Sequence, residues 1–100
     1  MNIEKTLWSF IDHYGADKQR MVAIEEMAEL TKALCKIDRA QTAPELYKAM
    51  KHAQEELADV EIMTTQLKLM LGEQEVNKII LEKIQRQKER MEHESSKSNR

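Results

Sequence analysis

Two acidic couplets, each spaced i,i+3, are the residues of this chain best suited to chemistry. The first, Glu26 and Glu29, lies within Glu25-Glu26-Met27-Ala28-Glu29, and the second, Glu56 and Asp59, within Glu55-Glu56-Leu57-Ala58-Asp59. On a helix, positions i and i+3 are neighbours on one face. Each couplet therefore presents two carboxylates side by side. If the two helices pack antiparallel, Glu26, Glu29, Glu56 and Asp59 converge. Carboxylates this close cannot all stay ionised unless cations neutralise them. Mg²⁺ suits such a site, with Mn²⁺ able to substitute, because a hard ion prefers oxygen ligands and often bridges to substrate phosphates.

Most helical glutamates simply face water, so the neighbours one turn away decide the matter. Glu26 follows Val22 and Ala23 by a turn and precedes Leu30, and Ala33 and Ile37 continue the same column. Glu56 follows His52 and Ala53 and precedes Val60, with Met63 and Leu67 beyond. Both carboxylates interrupt an apolar stripe, and burying an unpaired carboxylate is costly. Lys or Arg could serve as the partner. Lys32, Lys36 and Lys48 are near in sequence, but their helical phase leaves them largely on outer faces. A di-iron carboxylate bundle uses Glu-x-x-His couplets; neither couplet here contains His, so a hard ion is favoured over iron.

The elements that must position these groups are helices. Gly occurs twice and Pro once, 34% of residues are charged, and only 4% are aromatic. That composition reads as all-α. A first helix is expected from about Ile3 to Tyr14, with Ile3, Leu7, Phe10 and Ile11 on one side and Gly15 as its stop. Asp17 is placed to cap a second helix, which runs to about Ala40. Residues 39–43 read as a loop. Thr42 and Glu45 have capping-box spacing, and Pro44 suits a first turn. The third helix runs to about Leu71 and ends at Gly72. A fourth begins near Glu73 or Gln74 with a stripe of Val76, Ile79, Ile80 and Ile84. Residues 1–92 are expected to form one domain and residues 93–100, Ser-rich and charged, a disordered tail. Cys35 and the methionines read as core.

A net charge of −2 offers no broad basic field for nucleic acid. The longest apolar run, Met21 to Ile24, is far too short to span a bilayer. With no apolar h-region at the N-terminus, a cytoplasmic protein is expected. One cysteine allows no intramolecular disulfide, and no Cys/His zinc spacing is present.

At these residues the chain resembles the MazG-like nucleoside triphosphate pyrophosphohydrolases of the all-α NTP pyrophosphatase group. The family pattern, Glu-Glu-x-x-Glu followed by Glu-x-x-Asp on the next helix, stands here as Glu25-Glu26-Met27-Ala28-Glu29 and Glu56-Leu57-Ala58-Asp59. The resemblance covers about Leu7 to Arg90. Larger relatives carry Asn-x-Lys-Phe-x-Arg near the C-terminus. Here Lys83 and Arg86 match its cations, while Leu81 stands where Asn would be.

The resemblance implies a four-helix MazG-like bundle completed by homo-oligomerisation, as a dimer or tetramer. The implied reaction is hydrolysis of a nucleoside triphosphate at the α–β link. Glu26, Glu29, Glu56 and Asp59 would hold Mg²⁺. Glu26 and Glu25 are the candidate catalytic carboxylates; Glu25, turned about a hundred degrees from Glu26 on the helix, is either a base for the attacking water or merely exposed. Lys83, Arg86 and Arg90 share one helical face, as either a phosphate clamp or a solvated stripe. Trp8 is a candidate to stack on a base, or it packs. Two alternatives stay open: a phosphoribosyl-ATP pyrophosphohydrolase-like enzyme, and a non-catalytic helical adaptor that self-associates.

Overall fold

The computed structural model describes residues 1–98 of the chain. Four helices follow one another: α1 (Ile3–Tyr14), α2 (Ala16–Arg39), α3 (Ala43–Leu71) and α4 (Glu73–Ser98). No strand occurs among the described residues, and no described helix is long and apolar enough to cross a membrane. The described residues fall into two compact units, one over residues 1–70 and one from residue 71 onward.

Local chemistry sets the helix ends. The Asn2 side chain accepts a hydrogen bond from the Lys5 N–H at 3.0 Å and so caps α1. Gly15 stands between α1 and α2 with φ of 96°, a backbone region open chiefly to glycine. Its N–H donates to the Ile11 carbonyl at 2.8 Å, and its carbonyl accepts from Gln19 N–H at 3.0 Å. Gly15 therefore ends one helix and opens the next. Asp17, expected as the cap of α2, instead lies in its first turn, where it favours the positive end of the helix dipole and pairs with Arg20. At the start of α3 the capping pair forms. Glu45 N–H donates to Thr42 Oγ1 at 3.2 Å, and Glu45 Oε2 accepts from Gln41 N–H at 2.9 Å. Gly72, with φ of 111°, separates α3 from α4.

In the first unit α1 packs on α2 through a face that buries Leu7 and Ile11; Ile3 and Phe10, expected on the same side, stay exposed. Helices α2 and α3 run antiparallel. Gln19, near the start of α2, meets Gln66, near the end of α3, while Leu34 and Ile37 share a groove with Met50 and Ala53. Along α2 the positions Gln19, Ala23, Glu26, Leu30, Ala33 and Ile37 recur with alternating spacings of four and three, a seam of coiled-coil type. Ala53, Glu56, Val60 and Met63 continue it on α3. Ala23, Ala33 and Ala53 are buried, and their small size lets the helices approach closely.

Two sequence expectations about the core are corrected. Cys35 is exposed. It lies two residues from the buried Ala33, a rotation of about 200° that carries it to the opposite face. Met63 is buried, whereas Met21, Met27, Met50 and Met91 are exposed. Met21 and Met27 fall off the α2 seam spacing despite their apolar character, and Met50 lies at the open edge of the α2–α3 groove.

In the second unit α4 is one helix from Glu73 to Ser98. No Gly or Pro interrupts it. Pairs spaced i,i+4 support it: Gln85 Nε2 donates to Glu89 Oε1 at 3.1 Å, and Lys88 Nζ lies 4.0 Å from Glu92. Residues 99 and 100 lie outside the described residues.

Candidate functional site

The seam brings three of the four predicted ligands together. One carboxylate oxygen from each of Glu26, Glu56 and Asp59 lies within 4.8 Å of the other two. Glu26 comes from α2, and Glu56 and Asp59 from adjacent turns of α3. Glu26 is half-buried. Glu56 is half-buried too, its side chain 16% exposed, while Asp59 reaches solvent. Burial, and then the charges of Asp59, Glu56, Glu29 and Glu25 in that order, push the Glu26 carboxyl above the usual carboxylate range. Its seam position, predicted from the interrupted apolar stripe, is the cause.

Glu29 is not part of this trio. It is exposed, and its Oε1 lies 3.5 Å from Lys32 Nζ. It is still near enough for its charge to act on Glu26. Glu25 is exposed on α2, outside the trio, as are Glu55 and Glu61 on α3. Lys36 and Lys48 are exposed, in keeping with the outer faces expected for them. Trp8, on α1, is 40% exposed, so its ring is not consumed by the core. The neighbouring His13 and Tyr14 rings meet edge-on at 4.6 Å. Lys83, Arg86 and Arg90 lie exposed on α4 in the second unit, and Arg90 Nη1 donates to Gln87 Oε1 at 3.3 Å.

The structure adds residues that sequence reasoning did not single out. His52 Nε2 lies 3.8 Å from Glu56 Oε1. The signal was present, since His52 stands one turn before Glu56, a spacing at which side chains meet. Gln19 and Gln66 are both buried, and Gln19 Nε2 donates to Gln66 Oε1 at 2.8 Å. The Gln66 amide also reaches Met63 Sδ at 3.6 Å. Gln19 falls on the seam spacing of α2, but a glutamine reads as an ordinary polar position until the partner helix is placed.

The donor set fits a hard divalent ion. All three ligands are carboxylate oxygens, the type that Mg²⁺ and Mn²⁺ prefer. An ion with bonds of 2.0–2.1 Å sets opposite oxygens about 4.2 Å apart. Neighbouring oxygens of the same octahedral shell stand only about 2.9 Å apart, so the trio, whose oxygens lie within 4.8 Å of one another, would close by up to about 1.9 Å to share one such ion. A cation there would also relieve the repulsion that burdens Glu26.

No family model matches the chain, and no curated protein or solved structure matches it.

Proposed function

We propose that this chain is a divalent-metal-dependent nucleoside triphosphate pyrophosphohydrolase, adding water across the α–β anhydride to give a nucleoside monophosphate and pyrophosphate. The observation that carries the reading is the meeting of Glu26, Glu56 and Asp59 across an antiparallel seam, with Glu26 held above the usual carboxylate range. A purely structural seam gains nothing from three facing carboxylates. The sequence resemblance to the MazG-like enzymes supports the same assignment.

A bound Mg²⁺ or Mn²⁺ would supply Lewis-acid neutralisation of the phosphates and a lowered pKa for a bound water. The chain's own residues do the rest. Glu26, Glu56 and Asp59 hold the ion, and Glu29 joins them when its side chain turns from Lys32. His52 orients the Glu56 carboxylate. Glu25, exposed beside the trio's α2 member, is the candidate to accept a proton from the attacking water. Trp8 offers a partly exposed ring to a base.

Self-association belongs to this proposal. Leu34, Met50 and Leu57 are each about half exposed, at 50%, 48% and 48%. They line an apolar groove of about 250 Å³ between α2 and α3. Exposed apolar surface of this kind marks interfaces, and a small chain gains core by assembling. We infer a homo-oligomer, at least a dimer. The same surface supports a second reading, a self-associating adaptor without catalysis. Release of pyrophosphate from a panel of NTPs and dNTPs with Mg²⁺ separates the two. The enzyme releases it from at least one nucleotide and loses this activity in Glu56→Gln. No release from any nucleotide, with either Mg²⁺ or Mn²⁺, rejects the enzyme.

A further inference from the structure

We propose that a cleft of about 420 Å³ where α2 ends and α3 begins is a metal-independent site for a phosphate-class anion. Lys36 and Arg39 reach it from the last turn of α2, and Lys48 and His52 from α3. Ala40 and Ala49, both half-buried, supply apolar wall.

The charge balance carries the inference. Lys36, Arg39 and Lys48 form no ion pair among the described residues. The one carboxylate lining the cleft, Glu45, accepts a hydrogen bond from the Gln41 N–H as part of the α3 cap. Lys36 and Arg39 alone would be unremarkable, since cations favour the negative end of a helix. Lys48 has no such reason to be there. It lies in the second turn of α3, towards that helix's positive end, and converges with the other two cations. Three unpaired cations around one concavity repel one another, and an anion relieves that repulsion. Guanidinium and ammonium groups together match phosphate oxygens.

The site is distinct from the carboxylate trio. Residues 48 to 56 span about 12 Å along a helix, and the two places carry opposite charge. His52 lies between them, at the cleft's edge and 3.8 Å from Glu56. The volume falls in the range of small-molecule pockets, so the phosphate can be free or carried on an organic body. The inference does not rest on pyrophosphohydrolase activity, because no metal and no bond cleavage enters it.

The test is calorimetric titration of the metal-free, full-length protein in EDTA, with inorganic pyrophosphate in one arm and adenosine 5′-monophosphate in the other. Lys36→Met and Lys48→Met keep the side-chain stems and remove the charge at exposed positions, and helicity by circular dichroism checks their fold. Binding in either arm is expected to weaken by at least about tenfold in the double variant, the loss of charge-assisted hydrogen bonds. It should fall with added salt and persist in Glu56→Gln. Tighter binding of the monophosphate assigns an organic phosphate, and tighter pyrophosphate assigns a free one. Amide NMR shifts are expected to cluster at residues 36–52. No binding in either arm at millimolar ligand, or binding unchanged in the double variant, overturns the proposal.

Discussion

Replacing Glu56 by Gln preserves side-chain shape and removes one charge from the carboxylate trio. The prediction is that metal-free and metal-loaded stability move in opposite directions. At the outer limit of 4.8 Å, two unit charges repel by about 1 kcal/mol in water and about 3.5 kcal/mol at an effective dielectric of 20. Asp59 is exposed and Glu26 half-exposed, so the lower end of that range applies. Against this relief stands the contact with His52 at 3.8 Å, where the His52 side chain is 43% exposed; a pair this open contributes about 0–1 kcal/mol. At pH 7 without metal, Glu56→Gln loses two such repulsions, with Glu26 and with Asp59, and should therefore equal the wild type or exceed it by up to about 2 kcal/mol, which raises Tm by at most about 16 °C. With Mg²⁺ at a hundred times its Kd, the wild type gains about 2.7 kcal/mol, equivalent to about 10–20 °C. If losing one anionic ligand weakens Kd by about a hundredfold, the same Mg²⁺ adds only about 0.4 kcal/mol to the variant. The order of stability thus inverts on adding metal. Thermal melts followed by circular dichroism, in EDTA and in Mg²⁺ at matched ionic strength, read this directly. A variant that keeps the wild-type Mg²⁺ shift, or a wild type with no shift, refutes the assignment of the trio to a metal.

Three further outcomes are expected. Glu26 binds its proton more tightly in the folded than in the unfolded chain; its stabilising contribution is complete below the unfolded carboxylate range, about pH 4, and lost as pH rises through the folded value. Metal-free Glu26→Gln should then be more stable than the wild type at pH 7 and converge with it near pH 4; urea midpoints across that interval check this, and a pH-independent difference contradicts it. Light scattering should show a dimer or larger at low micromolar concentration, shifted towards monomer by Leu34→Glu or Leu57→Glu; a stable wild-type monomer refutes self-association. If the α4 cations contact substrate, Lys83→Ala and Arg86→Ala should lower kcat/KM by about ten- to a hundredfold without changing Mg²⁺-dependent melting, Arg90→Ala should have the weakest effect, and three silent variants leave the phosphates to other groups.

Helix ends were readable from sequence wherever a single residue type forces the backbone: Gly15 and Gly72 at positive φ, and Thr42 with Glu45 at the cap. Glu26 and Glu56 were readable because each replaces an apolar residue in a regular stripe. What failed was inference from residue type without phase. Cys35, Met21 and Met27 are apolar but stand off the seam, so they face water. Glu29 shares a helical face with Glu26, yet its side chain lies along Lys32. A shared face fixes where Cα atoms stand, whereas a long side chain still chooses among partners. Gln19 and Gln66 were unreadable for another reason, because their meaning depends on a partner 47 residues away.

That distant pair explains how the carboxylates come to face one another. An alanine-lined seam permits close approach but fixes register poorly, because small side chains interlock weakly. Facing carboxylates disfavour their own alignment in the absence of metal. The buried Gln19–Gln66 hydrogen bond acts in the opposite sense. Sliding α3 along α2 by one turn, about 5.4 Å, would break the bond and strand two buried amides, each costing about 1–3 kcal/mol. The same slide would carry Glu56 and Asp59 out of reach of Glu26. The register that assembles the candidate metal site is thus held from the far end of the seam, by two residues that take no part in its chemistry.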